Sequence, residues 1–311
     1  MKKILEKERA SRQKRKWVRL TKTCNNNCIF CLDKDNQDGT FIPFSKIKQE
    51  LKEGIETGAE RAVLSGGEPT LHPQFLEVVK FAKELGYKKI QIVTNGRMFS
   101  YKGFLKKAIE RGVDEITFSI HGHNKKLYEL QSRVRGSFEQ AMAGLINALN
   151  LRKPIVNIDI VINKINYREL SEMIEFFIKL GVYEFDLLQP IPFGAAWKNK
   201  EKVFYDIKKS LPYLRKTFEI SKKPKVHLWT NRFPPSYLEG FEDLIQDPVK
   251  LYGEVEGKES LFKVFLKEDK LMPCWGERCK WCFLKDFCSQ LLLIKNPEIK
   301  KSFLKKSVAL I

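Results

Sequence analysis

The chain has 311 residues, of which 43% are hydrophobic and 31% charged, and its formal net charge is +19. This composition fits a globular protein with a sizeable core, folded as one large domain or two smaller ones. No apolar run approaches the roughly 18 residues of a membrane span, and the opening "MKKILEKERASRQKRKW" lacks the apolar centre of a secretory signal, so a cytoplasmic location is expected.

In chain order, residues 1–16 come first as a basic arm with eight basic and two acidic residues. "WVRLTKT" then reads as a strand that ends in a loop bearing Cys24, Cys28 and Cys31. "RAVLSGG", "KKIQIVTNG", "DEITFSIHG", "VNIDIVINK" and "YEFDLLQP" repeat the scheme, β-formers followed by a turn or polar group. Between them, apolar residues at helical spacing predict helices over 44–57, 73–86, 101–112, 137–151 and 167–180. Six strands alternating with helices predict βα units and a parallel sheet. Next comes a lysine-rich stretch, 198–225, with ten basic and three acidic residues, and then "KVHLWTN", readable as a strand leading into a second domain. Four more cysteines follow, Cys274, Cys279, Cys282 and Cys288, and a last basic segment spans 295–306.

The three basic segments carry most of the net charge. Such clusters suit phosphate backbones, so an RNA partner is open. The plainer reading is a lysine-rich solvated surface, as in thermophilic proteins.

Polar and glycine-rich residues gather just after the strands: Cys24–Cys31, Ser65–Pro69, Thr94–Gly96, Ser119–Gly122, Asn163 and Gln189–Pro192. Parallel barrels place their sites at these strand ends, so one site built from all six is the expectation. His121 and His123 are either proton donors there or loop hydrogen-bonding groups. Seven cysteines fit a disulfide framework poorly. Cys-x3-Cys-x2-Cys is one ligand short of a structural zinc site. Three thiolates on a four-iron cube would leave one iron open for a substrate.

"CNNNCIFC" followed one βα unit later by "SGGEP" resembles the radical S-adenosylmethionine (SAM) superfamily, over roughly residues 17–225. The resemblance implies an α/β fold, a partial (β/α)6 barrel. It implies that Cys24, Cys28 and Cys31 bind a [4Fe–4S] cluster whose fourth iron chelates SAM. One electron from the reduced cluster would break a sulfur–carbon bond of SAM. The resulting 5′-deoxyadenosyl radical would take hydrogen from the substrate. It further implies that Phe30 packs near adenine and that Gly66, Gly67 and Glu68 meet the methionine amino group, with Pro69 stiffening the turn. Thr94, Asn95, Ser119, Asn163 and Gln189 would line the SAM pocket from successive strand ends. Arg133 would pair with the SAM carboxylate, although Arg135 stands where relatives often have proline. "QPIPFGAAWKN" resembles a strand-six segment of relatives with C-terminal clusters, but Ala195 replaces their usual arginine. The electron donor would be a flavodoxin or ferredoxin.

Cys274, Cys279, Cys282 and Cys288, in "PCWGERCKWCFLKDFC", look like the auxiliary-cluster regions called SPASM and twitch. A second [4Fe–4S] cluster is expected there, with zinc as the alternative. The implied organisation is a basic arm over 1–16, a barrel over 17–225 and a small twitch-like domain over 226–311. The two groups use every cysteine, leaving no thiol to carry a methyl group, and only sixteen residues precede the first strand, too few for a cobalamin-type domain. Two enzyme readings follow: modification of a peptide or small molecule, including cofactor assembly, and modification of RNA or nucleotides. A non-enzymatic iron–sulfur scaffold or electron carrier is the remaining alternative.

Overall fold

The structure is a computed structural model that describes residues 14–245, 264, 276–286 and 288–289. Seven parallel strands form one sheet in the order of the sequence: β1 (Arg15–Thr21), β2 (Arg61–Gly66), β3 (Lys89–Thr94), β4 (Glu115–Ser119), β5 (Ile155–Val161), β6 (Glu184–Leu188) and β7 (His227–Asn231). The crossovers carry α1 (Phe44–Glu56), α2 (Phe75–Glu84), α3 (Lys102–Arg111), α4 (Lys125–Ser132), α5 (Ser137–Leu151), α6 (Leu170–Leu180), α7 (Gly194–Lys198), α8 (Lys200–Val203) and α9 (Ile207–Phe218). Parallel neighbours require such crossovers, and helices supply them while covering one sheet face.

Side chains alternate across each strand, and the two faces differ in chemistry. Towards the helices point Leu64, Ile92, Phe118, Ile160, Leu187 and Leu228, all nearly or fully buried. They merge with Ile47 and Leu51 of α1, Val78 and Ala82 of α2, Leu145 of α5 and Phe177 of α6 in one continuous core. Burying each such aliphatic or aromatic side chain stabilises the fold by roughly 1.5–3 kcal/mol.

The opposite face carries Arg19, Ser65, Gln91, Glu115, Thr117, Ser119, Asn157, Asp159, Glu184 and Asp186. At its lower end, where β2 and β4 begin, the Arg61 guanidinium donates to Glu115 Oε2 at 2.5 Å and Gln91 Oε1 at 3.1 Å. Asn157 Nδ2 donates to Glu115 Oε1 at 3.0 Å, and Gln91 Nε2 to Thr117 Oγ1 at 2.8 Å. This network closes the bottom of the inner face with polar partners.

The six expected strands and five expected helices are present, with ends shifted by a few residues. The helix expected over 167–180 starts as a 3-10 turn, Tyr167–Glu169. "KVHLWTN", expected as a strand leading into a second domain, is a strand: it forms β7 of this sheet, paired with β6 from Glu184–His227 to Leu188–Asn231. The sheet thus begins at Arg15, inside the expected arm, and runs past the expected boundary at 225. Apart from residues 14–16, the arm lies outside the described residues, as does the segment 295–306.

Candidate active site

Beyond Thr21 the chain enters the cysteine loop, which neighbouring segments hold by its backbone. Asn27 N donates to Ser132 O at 2.9 Å and Ile29 N to Gln131 O at 3.0 Å, tying the loop to the end of α4. Ala195 N donates to Cys31 O at 2.8 Å. Arg19 grips Asp33 in a two-pronged ion pair.

Burial pushes the Cys24 thiol up to about 12, with the Glu68 carboxylate as a further cause. Burial also raises Cys28, reinforced by Cys24 and Cys31, and raises Cys31. Thiolates gathered this way require a positive partner, and a metal supplies it by lowering their proton affinity. Donors already face the sulfurs: Asn26 N lies 3.3 Å from Cys24 Sγ, and Gln37 Nε2 lies 3.5 Å from Cys31 Sγ. Hydrogen bonds to cysteine sulfur are a standard means of tuning a cluster. Three thiols in one loop are a donor set suited to a cluster that takes one thiolate per iron.

The β2 turn lies directly against this loop. Gly67 N donates to Thr21 O at 3.0 Å, and Glu68 N to Thr23 O at 2.8 Å. A Cβ on Gly67 would stand 2.0 Å from Thr23 O, so no side chain fits there. Glu68 is fully buried. Its Oε1 accepts from Thr70 N at 3.2 Å, from the Thr70 hydroxyl and from Thr94 Oγ1 at 2.6 Å, while Oε2 accepts from Asn95 N at 2.7 Å. The carboxylate thereby locks the β2 turn to the end of β3. Pro69 opens the short 3-10 turn that follows, Pro69–Leu71.

Asn95 continues the chain of contacts, with Nδ2 donating to Asn25 Oδ1 at 2.7 Å and approaching Cys24 Sγ at 3.9 Å. Phe30 is buried and meets the His121 ring edge-on at 4.5 Å. Ser119 ends β4, half-buried, in register with Asp159. The remaining predicted residues are engaged within the protein. Asn163 is fully buried, and its Nδ2 donates to Gln131 Oε1 at 2.7 Å while its Oδ1 accepts from Ile165 N at 2.9 Å. Arg133, exposed at the end of α4, donates to Asn199 Oδ1 at 2.7 Å. Gln189 Nε2 donates to Tyr205 Oη at 2.6 Å.

Several residues at this site were not singled out by sequence. Arg97 donates to Asn25 O and to Asn26 Oδ1, bracing the loop from the turn after β3. Gln131 joins the His121 carbonyl to Asn163. Their only sequence signal is the run of asparagines between Cys24 and Cys28, polar residues in a loop that becomes partly buried. His121 Nδ1 accepts from Val161 N at 3.0 Å, and burial lowers its pKa to about 3, so the ring is neutral.

In the second cysteine group, Cys279, Cys282 and Cys288 lie half-buried in and after a 3-10 turn, Gly276–Trp281. Leu284 N lies 3.4 Å from Cys282 Sγ. Cys274 lies outside the described residues.

A parallel α/β barrel with a three-cysteine loop at its strand ends defines the class: a barrel protein whose candidate site lies at the mouth of its sheet. Residues 18–177 match the family described as the Radical SAM superfamily, and the chain belongs to it. It is a radical SAM enzyme whose cofactors are a [4Fe–4S] cluster and SAM. Among its relatives, a Sulfurisphaera tokodaii protein named probable GTP 3′,8-cyclase is 26% identical over 76% of this chain and 72% of its own. A Saccharolobus islandicus protein of the same name is 29% identical over 71% and 69%. The crystal structure of Streptococcus suis SuiB bound to precursor peptide SuiA shares the fold, with TM-score 0.58 at 18% identity. That match covers 90% of this chain and 60% of the other, so the chain spans less than two thirds of SuiB. No helix among the described residues is long and apolar enough to cross a membrane.

Proposed function

We propose that the chain uses SAM to take a hydrogen atom from a small polar molecule, in a step of cofactor biosynthesis. Cys24, Cys28 and Cys31 are the residues assigned to the cluster. When bound, the cluster and SAM supply the one-electron chemistry that makes the abstracting radical. The protein's own tasks are to position the groups and exclude water. Gly66 and Gly67 offer backbone to the methionine end of SAM, Glu68 keeps that turn in place, and Phe30 covers the pocket beside His121. Thr94, Asn95 and Ser119 line it from the neighbouring strands.

One observation carries the choice of substrate class. Parallel barrels are ordinarily filled by branched aliphatic residues. Here the inner face carries Ser119, Asp159, Glu184 and Asp186, all only half-buried. The carboxylates of this face suit the hydrogen-bond donors of a polar guest and not its anionic end. The relatives named GTP 3′,8-cyclase make GTP the first candidate.

The test is anaerobic turnover of the reconstituted protein with SAM, reductant and GTP. The reading expects 5′-deoxyadenosine above the substrate-free level, together with a cyclised nucleotide. If GTP fails, a low-molecular-mass metabolite fraction is the next substrate source. Turnover of peptides alone would favour the second reading, peptide modification, which the likeness to peptide-bound SuiB supports. A second [4Fe–4S] cluster at Cys274, Cys279, Cys282 and Cys288, an external electron donor such as a flavodoxin or ferredoxin, and a twitch-like unit around those cysteines belong to the same proposal.

A further inference from the structure

After β6 the chain does not return at once to the surface. The segment 193–204, containing α7 and α8, lies against the cysteine loop on one side. Ala195 N donates to Cys31 O at 2.8 Å, and Asn199 Nδ2 donates to Ile29 O at 3.2 Å. Ala196 and Val203 pack with Ile29 and Phe30, with Cys28 at the edge of the cluster. Lys198 pairs with Asp35 just beyond the loop. The fit excludes any side chain at Gly194, where φ is +55° and a Cβ would stand 2.6 Å from the carbonyl oxygens of both Cys31 and Leu32.

The same segment receives the described turn of the second cysteine group, Gly276–Trp281. The Arg278 guanidinium lies 4.9 Å from the Phe193 ring centre and 5.1 Å from that of Trp197. The Trp281 ring meets Phe204 at 5.4 Å. Arg278 immediately precedes Cys279, and Trp281 immediately precedes Cys282. Each docking side chain thus belongs to the residue just before one that bears a thiol.

We infer that segment 193–204 is a strap joining the two cysteine groups, and that Arg278 and Trp281 are positioning residues for the SAM-binding loop. A cation between two aromatic rings and an aromatic pair are directional contacts. They fix where the C-terminal group sits, and through Ala195 and Asn199 they fix the backbone of residues 29–31. The inference rests on the reading that Cys24, Cys28 and Cys31 hold the cluster, and it assigns no chemical step to the strap.

The test compares the full-length reconstituted protein with the double variant Arg278→Ala, Trp281→Ala and the conservative pair Arg278→Lys, Trp281→Phe. Three quantities are read: iron per chain, SAM affinity from titration of the reduced cluster's magnetic-resonance spectrum, and backbone hydrogen exchange. The alanine variant is expected to keep its iron, to bind SAM roughly threefold to tenfold more weakly, and to exchange faster over 29–35 and 194–199. The conservative pair is expected to restore most of both effects. Unchanged SAM affinity and unchanged exchange over 29–35 in the alanine variant would overturn the inference. So would loss of iron, because the strap is assigned to position and not to assembly. If the unmodified protein holds no iron through Cys24, Cys28 and Cys31, the earlier reading has failed instead, and that control identifies which of the two is wrong.

Discussion

Glu68 shows how much of a residue's setting comes only with the fold. In the sequence it is a carboxylate placed to meet an ammonium. In the fold it is buried, and four hydrogen bonds join it to Thr70, Thr94 and Asn95. Glu68→Gln keeps the shape but turns one acceptor into a donor facing donors. It is expected to weaken SAM binding with iron content unchanged, measured by titrating SAM against the cluster's spectrum. Unaltered affinity would remove Glu68 from the site. These partners were not legible in the sequence, because Thr94 and Asn95 come from another strand and only the folded sheet brings them close. The bond between Asn163 and Gln131 was hidden for the same reason: Gln131 lies on α4, and no local pattern announces it.

His121 gives a residue-scale prediction with a definite sign. Burial lowers its pKa from the ordinary 6.5 to about 3. Between those values the unfolded chain binds a proton that the folded chain does not. The His121 contribution to stability is therefore full above about pH 6.5 and is lost as pH falls towards 3. Denaturant unfolding of wild type and His121→Asn across that range is expected to show their stability difference changing in this direction. The asparagine amide keeps an acceptor for Val161 N without a titrating ring. A difference independent of pH would mean that the ring is not buried neutral.

At the scale of elements, the alternation of strand and helix was readable because each crossover helix repeats its apolar spacing and each strand ends at a turn residue. β7 was readable as a strand but not as a member of this sheet. His227 and Trp229 alternate with Leu228 and Thr230 as any half-polar strand would, and its pairing with β6 is a fact of topology. The lower polar network was equally hidden, since Arg61, Gln91, Glu115 and Asn157 lie on four different strands. Its stability is testable. Arg61→Ala leaves Glu115 buried without its cation, and breaking such a pair costs about 3–5 kcal/mol. Equilibrium unfolding is expected to show a loss of that order. A loss under about 1 kcal/mol, the usual value of an exposed pair, would show that Arg61 and Glu115 are solvated.

At the scale of the whole molecule, charge was the least informative sequence feature. Within the lysine-rich stretch 198–225, Lys198, Lys216, Lys222 and Lys223 pair with Asp35, Glu172, Glu219 and Glu175. These pairs moderate the positive field that would draw a phosphate backbone. The RNA reading therefore predicts salt-dependent binding that the present account does not. RNA affinity measured across a salt series is expected to be weak near physiological ionic strength, and steep salt-dependent binding would revive that reading.

The central claim is that the cysteine loop and the turn beside it form a working SAM site. The most direct measurement is 5′-deoxyadenosine released from SAM by the anaerobically reconstituted protein, with iron determined in the same preparation. The account predicts release by the full-length chain with about eight irons, from two four-iron clusters. It predicts none from the variant with Cys24, Cys28 and Cys31 all changed to alanine, which is expected to retain about four irons. Undiminished release from that variant, or none from the unmodified chain with its iron in place, would contradict it.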